Sequence, residues 1–393
     1  MQVDANVSDP AIRTRQRLRI GVVGMRGVPS NYSGIERVGE EIYSALAARG
    51  HHVTVYGRPQ YTTDREAEFR GIRVVRTGVL EWPPLETLSQ AISSFRHAAR
   101  RGQFDVVHLH ALAPALVLMG YRLKRVPTVL TVHGLDWQRA KWKGVGAVVL
   151  KQAERCGVRF ADEIIVVSSS LKDYFFEQYT RHTTLIHNAI KFQPASLPGD
   201  GSVIAQYGLR PQRYVVFVGR LVPEKRVDDL IRAFRQVETD FKLAIVGEGA
   251  AGHVSDLKSL AGSDPRIIFT GLQEQARLHE LFHFAAAYVL PSELEGFPLS
   301  LMECIGHGVP AIVSDIPPHR ELLEPVRDYN LFFSVRNAAE LSERLSGVLS
   351  DPQRYRQLAE AAREYVRQAF SIEQMVDRTE EVLLRAFNRH RSR

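Results

Sequence analysis

Short β-rich runs recur at helix-length intervals along most of the chain, and this alternation limits the folds open to it. LRIGVV, HVTVY, IRVVRT, DVVHLH, TVLTVH and EIIVVS follow one another from Leu18, with amphipathic stretches between them. Strands that alternate with helices build parallel sheets covered on both faces, which is why such strands are apolar along their whole length. Residues 35–49 carry Ile35, Val38, Ile42, Ala45 and Leu46 at helical spacing, and Gly50 follows where a helix C-terminus needs it. The pattern stops near Ile190 and resumes as YVVFVG, KLAIVG, RIIFTG, AAYVLP and PAIVSD. Between the two series lie Pro194, Pro198, Gly199, Gly201 and Pro211 in a mostly polar stretch, the composition of a linker.

Two α/β domains in tandem are therefore expected: 18–190, a linker region at 191–212, and 213–370. From Asp351 the pattern is helical, and Ser371 is an N-cap candidate for a last helix over 371–393 that adds no strand. NRHRSR at the end reads as a frayed basic tail. The 393 residues, 45% apolar and 24% charged, suffice for more than one core and exclude a single small binding module.

A net charge of +7 favours anionic partners without naming one. Cys156 and Cys304 stand alone, with no CxxC, so neither a disulfide framework nor a cysteine metal site is expected. MQVDANVSDP lacks the basic patch and apolar stretch of a secretory signal, and no uncharged apolar run reaches spanning length. A cytoplasmic protein, able to touch the inner face of a membrane, is the expectation. Nucleic acid is not an expected partner, because zinc spacing, paired aromatic strands and a basic recognition helix are all missing from the sequence.

Two glycine turns follow strands that open a domain. The first runs Gly24-Met25-Arg26-Gly27-Val28-Pro29-Ser30-Asn31-Tyr32-Ser33-Gly34 into a helix; glycines allow close backbone approach, and free N–H groups at a helix start attract anionic oxygen. Its spacing is neither GxGxxG nor a P-loop. The second is Val218-Gly219-Arg220-Leu221-Val222-Pro223-Glu224-Lys225-Arg226, where a guanidinium fork and a lysine point charge suit diphosphate oxygens. Glu224 and Arg226 read as solvated loop residues.

The most informative stretch is Pro291-Ser292-Glu293-Leu294-Glu295-Gly296-Phe297-Pro298-Leu299-Ser300-Leu301-Met302-Glu303-Cys304. Glu295 ends a strand-loop, Glu303 lies a turn or two into the next helix, and both can face one crevice beyond the strand ends. Glutamates accept paired hydroxyl hydrogen bonds, as sugar and ribose offer, while a glycine and helix start support phosphate. Glu293 reads as solvent-facing, and His307 as a helix-end residue.

With Gly308-Val309-Pro310, Ala311-Ile312-Val313 and Gly219-Arg220 with Lys225, these motifs resemble the retaining, nucleotide-sugar-dependent glycosyltransferases of family 4. The resemblance runs from about Leu18 to Phe370, and GMRGVP with YSGIE is similar to bacterial members that build surface polysaccharides. It implies the GT-B fold, two Rossmann-like domains facing a central cleft, with the last helix packed back on the first domain. It also implies that Arg220 and Lys225 hold the donor diphosphate, Glu303 the ribose hydroxyls and Glu295 the transferred sugar. Gly34, Gly219, Gly296 and Phe297 belong to the same donor site. His133, in Thr131-Val132-His133-Gly134, matches a histidine near the donor sugar, with Asp136 beside it. Pro317-Pro318 stand where the family commonly has glycines, Ser33 replaces a glycine, and Glu321 matches a later glutamate.

The implied reaction is transfer of a hexose or deoxyhexose from a UDP-, GDP- or dTDP-sugar to a glycan or lipid-linked acceptor, with no cofactor and no metal. Glu295 can serve as a nucleophile or as a hydroxyl acceptor, and both remain open. A nucleotide-sugar-binding protein without turnover, a phosphorylase or a sugar epimerase would use a similar cleft. Asn188 and Ser168 are further cleft candidates with local turn roles as the alternative; Trp82 can stack on a sugar or fill the first domain. His108 and His110 alternate on a strand and read mainly as core residues, with an approach of His110 to the acceptor as the alternative. Residues 137–160 carry six Lys or Arg against one Glu, with Trp137 and Trp142, a composition that suits an anionic lipid surface.

Overall fold

The computed structural model describes residues 16–29, 34–61, 68–82, 86–101, 103–142, 144–192 and 199–392. Ser30, Asn31, Tyr32 and Ser33 of the first glycine turn, Lys143 of the basic segment, and Pro194 and Pro198 of the linker lie outside the described residues. The first sheet contains β1 (Arg19–Val23), β2 (His52–Gly57), β3 (Glu68–Phe69), β4 (Ile72–Arg76), β5 (Val106–His110), β6 (Thr128–Val132), β7 (Glu163–Val166) and β8 (Thr184–Leu185). Their order is β3-β4-β2-β1-β5-β6-β7-β8. The second contains β9 (Tyr214–Val218), β10 (Lys242–Val246), β11 (Ile267–Gly271), β12 (Ala287–Leu290), β13 (Ala311–Ser314) and β14 (Phe332–Phe333), ordered β11-β10-β9-β12-β13-β14. Every pair is parallel except β3 with β4.

β5, β6, β7 and β9 are buried from end to end, as strands covered on both faces must be. In each sheet the connections run one way from the first strand and then reverse, between β1 and β5 and between β9 and β12. A crevice opens at such a reversal beyond the strand ends, and right-handed crossovers keep the connecting helices off it. Gly24 follows β1 and Gly219 follows β9, so the two glycine turns lie at the two crevices.

The last helix, Ile372–Arg391, starts where Ser371 Oγ accepts from Gln374 N at 3.1 Å. It buries Met375, Val376, Val382, Leu383 and Ala386 in the same core as Ile20, Val38 and Val53, so it completes the first sheet's packing rather than the second's. Arg49 pairs with Asp377 and Glu380, and His51 Nε2 lies 3.0 Å from Glu380. The expected frayed basic tail is instead helical to Arg391, because Arg385 and Arg389 find the Glu163 carboxylate.

Among the described residues the two halves touch at several places. Glu321, on the helix Pro317–Leu323, accepts from Ser169 N at 2.9 Å, from Ser169 Oγ and from His187 Nε2 at 2.6 Å. Arg37, on the helix Gly34–Ala48, pairs with Glu303. Gly296 lies against the His133 carbonyl, where an added Cβ would come within 1.8 Å of the oxygen.

Candidate functional site

Beyond β9 the chain enters a short 3-10 turn, Pro223–Lys225, and Arg226 follows at φ 51° as the N-cap of the helix Val227–Gln236. This turn swings Lys225 back toward the strand end, where its ammonium pairs with Glu295. Burial alone would raise the Glu295 carboxyl, but Lys225 and His319 outweigh it and hold the group below the usual carboxylate range. Glu295 is thus a charged, nearly enclosed carboxylate with its charge already answered within its own domain. Arg220 stands on the crevice wall, reachable by water yet ringed by protein. The surrounding protein, then Arg139 and Arg26, lower its pKa from the usual arginine value.

Glu303 is 6% exposed on the helix Leu299–Gly306 and takes Arg37 from across the cleft and Gln275 Nε2 at 2.9 Å. Gly34 opens the helix that carries Arg37, and a Cβ there would meet Leu299 Cδ1 at 2.6 Å. Gly219 shares its wall with Lys225, whose Cε would lie 3.7 Å from an added Cβ. The glycines at 34 and 296 are needed for contact between domains, since neither has a positive φ.

His133 directly follows β6 on the opposite wall and is 8% exposed. Burial, then the nearby Arg139, lowers its pKa to about 4, so the ring is neutral at physiological pH. Its Nδ1 is buried without a partner. Gly134, Leu135, Arg139, Arg220, Glu224, Lys225, Leu294, Glu295 and Gly296 enclose a cavity of about 130 Å³ between the halves. A larger hollow of about 820 Å³ is an open concavity along the last helix and gathers none of these groups. Among the described residues no three His, Cys, Asp or Glu side chains gather to hold a metal ion.

Of the residues expected at the donor site, the fold brings Arg220, Lys225, Glu295 and Gly296 to one cavity; His133 lies buried directly behind its wall, its carbonyl against Gly296, while Glu303 and Gly34 meet across the cleft and Gly219 lies beside Lys225. Phe297 goes elsewhere: it is buried against the rings of His187 and Phe370, at 5.1 and 5.4 Å, in the junction between domains. Ser168 and Asn188 are buried, and it is Ser169 that meets the second domain. Trp82 is 61% exposed. Glu224 and Arg226 are not solvated loop residues: Glu224 is buried at the cavity, its carbonyl accepting from Glu293 N, and Arg226 pairs with Asp228 and Asp229. Glu293 keeps a place at the rim, paired with Arg336.

Arg139, like Arg37, is a residue that sequence reasoning missed. It sits in the basic run assigned to lipid, yet lines the cavity and pairs with Asp136 at 3.1 Å. Trp137 and Lys151 of that run also turn inward. Trp137 Nε1 and Lys151 Nζ donate to the fully buried Glu154 at 2.7 and 2.8 Å, and the ammonium lies 4.2 Å from the indole centroid. The buried glutamate at 154, in the middle of a basic run, was the available signal, because a buried carboxylate must gather donors.

Two parallel sheets with facing crevices, glutamates and cations on one rim and a histidine on the other, define a GT-B glycosyltransferase. The model for Glycosyl transferases group 1 matches residues 204–365 and that for Glycosyltransferase Family 4 matches residues 32–193, so the chain belongs to the family 4 glycosyltransferases. It is 26% identical over 389 residues to N-acetyl-alpha-D-glucosaminyl L-malate synthase of Bacillus anthracis, covering 93% of this chain and 96% of that protein. Its fold is similar to sucrose-phosphate synthase from Thermosynechococcus elongatus, with a TM-score of 0.80 and 22% identity over 95% of this chain and all of the other, 100%. It is also similar to Anabaena HepE, solved with UDP-glucose, with a TM-score of 0.76 and 18% identity over 93% and 99% of the two chains.

Proposed function

We propose that this enzyme transfers a hexose or deoxyhexose, with retention, from a nucleotide diphosphate sugar to a glycan or lipid-linked acceptor in surface polysaccharide synthesis. The convergence of Arg220, Lys225 and Glu295 on a cavity closed by Gly134 carries this reading. The two cations neutralise the diphosphate as it leaves, without calling for a metal. Glu303 accepts from the ribose hydroxyls once nucleotide displaces Arg37, and Glu295 and His133 orient the sugar. HepE, solved with UDP-glucose, supports a nucleotide sugar as donor.

Retention follows from attack on the same face that the leaving group departs. The acceptor oxygen bonds to the anomeric carbon as the bond to the phosphate oxygen breaks, and the acceptor proton passes to that phosphate. Lys225 already pairs with Glu295, which favours a carboxylate that binds and orients over one free to act as a nucleophile. Thermal shifts with UDP, GDP and dTDP, followed by turnover with sugars of the stabilising nucleotide, test the reading. A folded protein that binds none of the three defeats it.

An anionic membrane surface fits the outer side of the first domain. The helix Leu118–Leu123 packs on the helix Val145–Phe160. Met119, Leu123, Val145, Val148 and Val149 are exposed there, beside exposed Arg122, Lys124, Arg125, Arg155 and Arg159. Apolar side chains flanked by cations suit the boundary of an anionic bilayer, where a lipid-linked acceptor is presented. No described helix is long and apolar enough to cross a membrane. Equal binding to neutral and anionic vesicles would count against the electrostatic part.

A further inference from the structure

A chain of buried hydrogen bonds ends at His133. Thr131 Oγ1 meets His108 Nε2 at 2.7 Å, and His108 Nδ1 meets the Tyr43 hydroxyl at 2.8 Å. The same hydroxyl meets His110 Nε2, and His110 Nδ1 meets His133 Nε2 at 2.9 Å. Three elements supply these groups: β5, β6 with the residue after it, and the helix Gly34–Ala48. Tyr43 is 0% exposed and none of the others exceeds 8%. At the far end His133 Nδ1 is buried and unpartnered, one residue before Gly134 on the cavity wall.

Proton positions follow from counting. With neutral rings, each imidazole brings one N–H and one bare nitrogen, and Tyr43 and Thr131 bring one O–H each. Three arrangements make all four bonds. In the first, Thr131 donates to His108, His108 to Tyr43, Tyr43 to His110 and His110 to His133 Nε2, so the last proton sits on His133 Nδ1. The second reverses every bond and strands the Thr131 hydroxyl proton. The third has both rings donate to Tyr43 and strands the Tyr43 proton. His133 Nδ1 lacks a partner in all three, but the second and third strand a hydroxyl proton as well; each stranded buried donor is costly, so the first arrangement is favoured.

We propose that Tyr43, His108, His110 and Thr131 are positioning residues that hold His133 as a neutral imidazole with its proton on Nδ1, a hydrogen-bond donor to an oxygen of the transferred sugar. This rests on the donor-site reading of the cavity. An extra proton on any of the three rings would set two donors face to face or strand a hydroxyl. Burial acts in the same direction, taking His108 to about 3 and His110 well below the ordinary value, with neighbouring imidazoles adding to it. A neutral donor orients a sugar hydroxyl without placing a full positive charge beside the oxocarbenium-like transition state, where imidazolium would oppose reaction.

Long-range proton–nitrogen NMR on protein labelled with 15N-histidine, without substrate, reads the tautomer; loss of a signal in His133→Gln assigns it. The expected result is a proton on Nδ1 of His133 in the wild type and in Thr131→Ser, and a mixture of both tautomers in Thr131→Val and Tyr43→Phe. Turnover in the latter two falls about tenfold in kcat while donor KM stays within about twofold, and Thr131→Ser retains activity. A wild-type proton on Nε2 overturns the proposal. So does a tautomer unchanged in both Thr131→Val and Tyr43→Phe, or one that shifts with no change in kcat. The tautomer is read without a donor, so a correct tautomer with no turnover on any nucleotide sugar would count against the donor reading instead.

Discussion

The two crevices arise from the same sheet reversal but are furnished in opposite ways. The second-domain crevice is built from full charges, Arg220, Lys225, Glu295 and Glu303, delivered by a 3-10 turn and a helix start. The first-domain crevice offers bare backbone at Gly34 and Gly134 and a neutral, hydrogen-bonded histidine; among the described residues that line the cavity its cation is Arg139, paired with Asp136. One fold thus supports a wall of unlike full charges that suits a diphosphate and a wall of backbone, a neutral imidazole and an ion-paired arginine that suits a sugar. The charged groups of the second crevice come from the turns and helix starts beyond its strands, whereas the first sheet also carries polar side chains within its strands, at His108, His110 and Thr131.

That contrast predicts unequal losses. Removing the charged wall should cost most: Arg220→Ala or Lys225→Ala lowers kcat/KM by roughly 100- to 1,000-fold, the range for losing a donor aimed at developing charge. Steady-state kinetics check it, and a loss below about tenfold would break the assignment of diphosphate to this wall. Next comes the seam between the walls. Gly296→Ala puts a Cβ 1.8 Å from the His133 carbonyl, so the domains must part; stability falls by about 1–3 kcal/mol and turnover collapses with it. Denaturant unfolding and activity, measured on the same protein, test this.

Glu303→Gln should act on binding alone, raising donor KM about tenfold with kcat little changed, because the ribose contact proposed for it would be shared by ground and transition states. Equal losses in both parameters would move Glu303 into the chemistry. The smallest effect concerns the Glu321 contact. Burial would raise this carboxyl, but His187 and Ser169 hold it below the ordinary range. Its folded pKa is depressed, so its stabilisation is present above the unfolded value of about 4.3 and is lost as pH falls through the folded one. Glu321→Gln therefore lowers Tm at pH 7 by an amount equivalent to about 1 kcal/mol, and the gap to wild type closes on acidification. A gap that widens in acid would contradict it.

Much of the fold was legible because parallel strands announce themselves as continuous apolar runs. β3 and β14 were not, each being two residues whose strand character comes from pairing with a neighbour rather than from pattern. In the site, Arg220 and Lys225 were readable from a strand–glycine–cation order, and Glu295 and Glu303 from their spacing. Arg37 and Arg139 were not, since a cation on a helix face or in a basic run looks alike whether the fold turns it to water, to lipid or to a carboxylate. The Tyr43 chain was invisible for another reason. It is assembled from a helix and two strands, and His108 and His110 by themselves look like ordinary core residues.

The last helix has a mechanical consequence. The backbone passes from the first half to the second after β8 and returns at Phe370, which packs on Phe297 and His187. A body hung from one strand can swivel, whereas one held by two crossings can only fold about the line that joins them. The two halves should therefore open and shut like a book, with the aromatic group of Phe297, His187 and Phe370 at its spine and the pages meeting at Gly296.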